Sequence, residues 1–406
     1  MKITLDTNKN WLFLFAMFTL WSNTLPGITI SGIGTLFPLR IMVFFVGVLY
    51  LLNRRWDYLY QKTVIRLLGL LLYGLVSLLW CIDISTGIQT FVIYITSIFT
   101  VFTTFVLVKN EKDIITLCRY MAINAIVIGL MGIYESVTGN YFILTKERYL
   151  LDRVVNTFGF KYPHSIFYNT NDFAAFMVAM VPIMCIAVKD LKYAIVLQYS
   201  ALALSTICIV FTNSRLCQIL CVVYFIFLLP KKNIKSVLTI IPIVLIVFIV
   251  GTRYWDRLYY NVLGISGINI ADEGRITIWE NSFVNFLRSG TFGVGIGNST
   301  IANEQYSYHP SLVYAVHNFL LEILEEFGLF GFVCFFSWLV LIVKKLTAYW
   351  EQETGKYLVS FFVIFSFLTI LSSSIRQMYY FWLILSLCIV FIKDREANVN
   401  TSYESI

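Results

Sequence analysis

Three side chains in this 406-residue sequence have the type and setting to do chemistry: Arg215, Arg275 and His317. Arg215 lies in FTNSRLCQIL, between two apolar runs. An arginine at the edge of hydrocarbon normally faces a partner or a water-filled cavity, so it is a functional candidate; the plain alternative is snorkelling to the interface. Arg275 opens the stretch RITIWENSFVNFL. Apolar Ile276, Ile278, Trp279, Phe283 and Phe286 predict an amphipathic helix at a membrane surface, with Arg275 in its first turn. Free N–H groups and the positive dipole end there favour phosphate, unless Arg275 simply pairs with Asp272 and Glu273. His317 sits in LVYAVHNFLLEILEEFG, read here as one long apolar segment beginning near residue 313. Neutral imidazole can take a proton near pH 7. On a helix, Asn318 and Glu322 would share a face next to it. His164 and His309, each beside a proline, are read as solvated loop residues.

Further candidates surround these. Arg288 ends the stretch after Arg275. Arg148, Arg153 and Asn171 lie in ERYLLDRVVNTFGFKYPHSIFYNTNDFAAF, where Asn171 or Asp172 can also serve as a helix cap. The two arginines could grip a second phosphate or a sugar carboxylate. Gly290, Gly293, Gly295 and Gly297 could cradle a phosphate, but lack the context of a Rossmann turn or a P-loop, so a tight turn is the better reading. Glu325 and Glu326 could orient their helix or act as acids.

The scaffold that must position these groups is apolar. Hydrophobic residues make up 59%, charged residues 13%, and mean hydropathy is +0.78. A soluble domain is usually about half apolar and a quarter charged. The composition predicts an all-α polytopic membrane protein without a separate soluble domain. Runs near 11–30, 36–52, 66–82, 88–108, 114–137, 172–188, 193–212, 216–230, 236–252, 313–343, 357–375 and 377–392 suggest about 12 transmembrane helices. They form one transmembrane domain, 1–392, followed by a short polar cytoplasmic tail, 393–406, without expected order. The N-terminal run has no cleavage site after it and reads as a first membrane helix. The eight cysteines fall in apolar runs without metal-ligand spacing and read as buried hydrophobes.

With the N-terminus inside, 19 of the 30 Lys and Arg fall on inner segments, and both termini are cytoplasmic. Inner basic residues are mostly Lys; the outer ones are mostly Arg, which is planar and bidentate to phosphate. Two outer loops are long, 138–171 and 253–312. Long connections in compact proteins are usually functional.

The pattern of Arg275, Trp279, FGVGIGNS, a polar loop and HNFLLEILEEFGLFG resembles the core of the O-antigen ligase and polymerase family, Wzy-type polysaccharide polymerases included. NSRL around Arg215 resembles the family's Ser-Arg motif, and NTNDFAAF its Asn-containing helix start. The resemblance implies a GT-C-like, metal-independent membrane glycosyltransferase with two long extracytoplasmic loops and no cofactor. Its substrates would be undecaprenyl-pyrophosphate-linked glycan donor and acceptor at the outer face of a bacterial plasma (inner) membrane. It also implies catalytic roles for Arg215, Arg275 and His317. From the residues themselves, Arg148, Arg153, Arg288, Asn171, Asn318 and Glu322 are the expected substrate contacts. Arg148 with Gly159 fits an arginine-to-glycine spacing of one polymerase subgroup; Arg275 and Arg288 do not. Capsule-type or O-antigen-type polymerisation is the first reading. Transfer of a finished glycan by a ligase is the second. A lipid-glycan flippase or transporter is the third, disfavoured by the absence of paired halves and the scarcity of mid-membrane charges. Flippase and chain-length regulator proteins are expected partners; nucleic acid is not.

Overall fold

The computed structural model describes residues 9–22, 24–30, 34–53, 57–143, 159–228, 270–310, 314–370 and 374–404, with the backbone alone at 270–274, 374 and 399–404. The elements in order are α1 (Lys9–Leu20), β1 (Ile28–Ile30), β2 (Gly34–Leu36), α2 (Pro38–Asn53), α3 (Tyr58–Ser77), α4 (Ile84–Leu107) and α5 (Glu111–Thr138). Then follow α6 (Thr170–Val188), α7 (Ala194–Thr212), α8 (Arg215–Leu228), α9 (Ile270–Arg288), α10 (Ser299–Gln305) and α11 (Phe319–Leu346). A 3-10 turn (Thr347–Tyr349), α12 (Glu353–Leu368), a second 3-10 turn (Ser374–Gln377) and α13 (Tyr379–Glu404) complete the chain. Among the described residues, six helices are long and apolar enough to cross a membrane: α3, α4, α5, α6, α7, and α11 with the turn after it. This is a membrane protein whose apolar runs fold as helices.

Several expectations need correction. The protein is not purely α: β1 and β2 form an antiparallel hairpin, Ile28 opposite Leu36 and Ile30 opposite Gly34. The run at 11–30 therefore splits, and α1 has 12 residues, too short to cross alone. The run at 236–252 lies outside the described residues. The tail expected to lack order is instead the continuation of α13 to Glu404. Ion pairs hold it: Lys393 with Asp57, Arg395 with Glu111, and Lys345 with Glu396. The cysteine reading holds, since all eight are free and most are buried.

The chain divides into two compact units, Met1–Met121 with Gly274–Ile406, and Ala122–Glu273. The first is built around α13. Residues 378–392 are buried on every face, as an all-apolar helix must be. Trp382 stacks on Trp338 of α11 at 5.9 Å and meets Tyr94 of α4 edge-on. α3 runs antiparallel to α11. Arg66 Nε donates to Ser337 Oγ at 3.0 Å, and nearer the other end of α3 the Gly74 backbone abuts Phe327.

The second unit is built around α6, buried from Asp172 to Ala187. Gly132 of α5 leaves room for the Phe173 ring, a small-residue contact common between membrane helices. Its N-cap is Asn169, whose side chain accepts from the Asp172 N–H at 2.8 Å; Asn171 is exposed and caps nothing. The Glu135 carboxylate near the end of α5 organises the following loop. It accepts the backbone N–H groups of His164 at 3.1 Å and Ser165 at 2.7 Å. His164 is therefore not solvated: it is fully buried and stacked on Tyr141 at 4.9 Å.

α11 contains one break. Gly328 has φ 62° and ψ −166°, a region open essentially to glycine alone. Gly328–Leu346 spans about 28 Å at 1.5 Å per residue, enough to cross a bilayer by itself. Phe319–Phe327 is thus a separate short segment at one end of the bundle. A Cβ on Gly328 would meet Thr291 O at 2.3 Å. Gly328→Ala is expected to lower stability by well over the roughly 1–3 kcal/mol of backbone strain alone. Its melting temperature in detergent should fall by several degrees or the protein should fail to accumulate; an unchanged melting curve would refute this account of the break.

Candidate active site

Arg275 and His317 belong to a small folded layer made by α9, the glycine-rich run, α10 and the first segment of α11. The inward face of α9 is Ile278, Asn281, Ser282, Asn285 and Phe286, spaced i, i+3, i+4, i+7, i+8 and buried throughout. Its apolar Ile276, Phe283 and Leu287 are 59%, 49% and 52% exposed. The expected amphipathic helix is therefore turned around: much of its apolar surface points outward and its asparagines and serine point in. An outward apolar face suits contact with lipid.

The inward polar face meets two others. From α10 come Ser299 and Asn303; from α11 come Glu322, Glu325 and Glu326, all buried. Asn285 Nδ2 donates to Asn303 Oδ1 at 3.1 Å and to Glu325 Oε1 at 3.2 Å. Asn303 Nδ2 reaches Ser282 Oγ at 3.1 Å and Glu325 Oε2 at 3.3 Å. Ser299 Oγ donates to Glu326 Oε1 at 2.8 Å. Arg376, from the turn before α13, lies 3.1 Å from both Glu322 Oε1 and Glu326 Oε1. Buried carboxylates persist only when so partnered.

The glycine-rich run closes this layer against the helix break, and its glycines serve turns, as expected. Val294 N donates to Glu325 O at 2.8 Å and Gly295 N to Glu326 O at 3.2 Å. At Gly293, with φ 84°, a Cβ would lie 2.5 Å from Gly328 N, so two glycines make this approach possible.

His317 is pinned from both sides. The Trp279 indole donates to Val316 O at 2.9 Å, and Phe319 N donates to Thr369 O at 2.6 Å. Between these anchors His317 has φ 50°, unusual for a residue with a Cβ. α11 begins at Phe319, later than the predicted start near 313. Asn318 is its N-cap and accepts from the Leu321 N–H at 3.2 Å, so it does not share a helical face with Glu322. His317 is partly buried. Burial, and secondly the positive charge of Arg275, hold its proton affinity below the ordinary imidazole value.

The other expected residues fall as follows. α9 begins at Ile270, so Arg275 lies beyond the first turn, and the free N–H argument does not apply to it. Arg288 is on the same helix thirteen residues on, about 20 Å away at 1.5 Å per residue. It is exposed and donates to Tyr306 O at 3.0 Å. Glu322 binds Arg376. His309 is exposed, as expected, 3.6 Å from Glu280. Arg215 and Asn171 belong to the other compact unit, Arg215 as the first, exposed residue of α8 after the predicted tight turn, where Asn213 has φ 55°. Arg148 and Arg153 lie outside the described residues.

Sequence reasoning missed the polar core itself. Its signal was present in the spacing of Asn281, Ser282 and Asn285, of Ser299 and Asn303, and of Glu322, Glu325 and Glu326. Arg376→Met leaves two buried carboxylates without their cation. The expected loss is about 3–5 kcal/mol, read as a fall in melting temperature. Adding Glu322→Gln and Glu326→Gln should restore part of it; a triple variant less stable than Arg376→Met would contradict the pairing.

Comparison with known proteins bears on the same residues. A model of the O-antigen ligase family matches residues 200–336, which include Arg215, Arg275, Arg288, His317 and the three glutamates but not Arg376. The chain is also 24% identical to the teichuronic acid biosynthesis protein TuaE of Bacillus subtilis (strain 168) over 425 aligned positions, covering 96% of this chain and 86% of that protein. The arginine, glycine and histidine motifs thus lie in a region of O-antigen ligase type, and the likeness to that family drawn from the sequence holds.

Proposed function

We propose that the protein is a polysaccharide polymerase of the bacterial plasma membrane, joining undecaprenyl-pyrophosphate-linked repeat units at the outer face. The observation that carries this reading is His317: an imidazole pinned in a rare conformation, kept neutral, beside Arg275, within a region of O-antigen ligase type. The relative's part in teichuronic acid biosynthesis supports a cell-envelope polymer as product. We retain for this reading the twelve-helix, GT-C-like arrangement, with both termini cytoplasmic.

In the proposed reaction a hydroxyl of the acceptor unit attacks the anomeric carbon of the donor glycan. The bond from that carbon to the pyrophosphate oxygen breaks, and a glycosidic bond forms. The hydroxyl proton passes to His317. The lipid pyrophosphate leaves with the bonding electrons, and no nucleotide is consumed. Arg275 stabilises the charge that builds on the leaving group. Arg215 is retained as a pyrophosphate ligand from its Ser-Arg motif. Such a donor is worth about 3–4 kcal/mol in a preorganised site. Arg148, Arg153 and Asn171 remain candidate contacts to the glycan.

The description of the matched family, O-antigen ligase, favours a second reading: transfer of a finished glycan to another acceptor. The two differ in a deletion strain, where single repeat units accumulate without a polymerase and unattached long chains without a ligase.

Two outcomes test the chemistry. Arg215→Lys keeps the charge but loses the planar fork, and polymer formation should drop by roughly 100-fold or more at equal protein level. Near-normal chain lengths would exclude bidentate pyrophosphate binding there. The pH profile tests His317. Activity that needs the neutral imidazole should fall only below the ordinary imidazole range. Removing the Arg275 charge raises the proton affinity, so the residual activity of Arg275→Gln should lose its acid limb at higher pH than wild type. A limb that stays or moves to lower pH would remove His317 from the proton's path.

A further inference from the structure

The far end of α9 from Arg275 borders a cavity of about 680 Å³. Its walls include Trp80, from the link between α3 and α4, Phe292 of the glycine-rich run, and Tyr306 after α10. Asn285 and Arg288 of α9 add polar groups. Phe292 is 64% and Tyr306 52% exposed. The walls are fixed from behind: the Trp80 indole donates to Gly293 O at 3.0 Å, and Gly293 N donates to Ser289 Oγ at 2.9 Å. Arg288 is the single charged residue of the lining, which includes no carboxylate. One of its nitrogens is bound to Tyr306 O, and the group lies 5.9 Å from the Tyr308 ring. A guanidinium has five N–H donors, so others remain for a ligand.

Aromatic walls with a few convergent polar groups make a ligand site rather than a packing defect. A pyranose has apolar C–H faces that lie against rings and an equator of hydroxyls that asparagine can bind. A single arginine without acids prefers a ring that carries a carboxylate. About 20 Å separates this arginine from Arg275 along one helix, a span that an extended oligosaccharide covers and a single sugar does not.

We propose that this cavity is a subsite for an acidic sugar of the glycan substrate, several rings from the bond being formed. Its assignment to the substrate rests on the polymerase reading; its sugar binding does not. Trp80 and Phe292 stack on the ring, Asn285 accepts from a hydroxyl through its Oδ1, its Nδ2 being bound to Asn303 and Glu325, and Arg288 takes the carboxylate. The subsite would therefore select the composition of the repeat unit by a feature remote from the reacting hydroxyl.

The test is binding to the purified full-length protein in nanodiscs. The probes are a glucuronate-containing tetrasaccharide and a neutral chitin tetrasaccharide, read by calorimetry and tryptophan fluorescence. Wild type should bind the acidic probe more tightly. Arg288→Gln should weaken the acidic probe by roughly tenfold or more, the scale of one charge-assisted hydrogen bond, with little change for the neutral one. Phe292→Ala, at a side chain that is mostly exposed, should weaken both. The inference is overturned if neither sugar binds, if Arg288→Gln binds the acidic probe as wild type does, or if only added prenyl lipid quenches the fluorescence. Sugar binding by a wild-type protein that forms no glycosidic bond would instead sink the polymerase reading and spare the subsite.

Discussion

The arrangement of the site depends on one buried ionic contact, Arg376 between Glu322 and Glu326. Burying such charges is expensive, and their mutual attraction offsets it only when geometry and hydrogen bonding are complete. Here Ser299 adds a hydrogen bond to Glu326 and the asparagines of α9 and α10 satisfy neighbouring Glu325, while the second oxygens of Glu322 and Glu326 and the Arg376 Nε are left without partners among the described residues, which makes the contact costly to disturb. The contact ties the first segment of α11 to the turn that leads into α13, the central helix of its unit. Everything mounted on that segment takes its position from it, including Asn318 at the cap and His317 immediately before.

The same contact explains why the chain turns α9 around. Three glutamates in two helical turns cannot face hydrocarbon, so they face inward and require polar partners. Asn281, Ser282 and Asn285 share one face with Ile278 and Phe286, and that face turns to the glutamates. Ile276, Phe283 and Leu287 are left outside. Gly328 then lets the helix break where this polar layer ends and the apolar span begins, while Gly293 lets the loop backbone reach the freed carbonyls. Polar core, reversed helix and glycine pair are consequences of one charge-burial problem.

This also sets what the sequence could disclose. Apolar runs translated into helices wherever they were uninterrupted, as in α4, α6 and α7, because burial and propensity agree there. The NSRL turn at Arg215 was legible because the runs 193–212 and 216–230 leave only three residues between them. Less legible was the start of α11: Val313 to Val316 are apolar, yet the backbone from 314 to 318 is not helical, held by Trp279 and Thr369, neither of them near in sequence. Nothing local marked Arg376 as a core residue, because its partners lie some fifty residues upstream. His164 beside Pro163 looked like a solvated loop residue, since nothing local announces the Glu135 carboxylate that draws its backbone inside. Each miss came from a polar contact distant in sequence, which periodicity does not encode.

The pairing of Arg275 with His317 has a consequence for the order of events in the proposed reaction. Without an anion present, the guanidinium and the burial both disfavour a proton on the imidazole. That keeps the base ready but makes it weak, since a group that resists protonation is a poor acceptor. A diphosphate against Arg275 would offset the positive field at His317 and raise its proton affinity. The base would strengthen when the donor is bound, and further as negative charge grows on the leaving group. A cation placed beside a general base looks counterproductive when viewed in isolation. Beside a departing pyrophosphate it couples proton removal from the acceptor to the breaking of the donor bond, which is what a transferase that must avoid hydrolysing its donor requires.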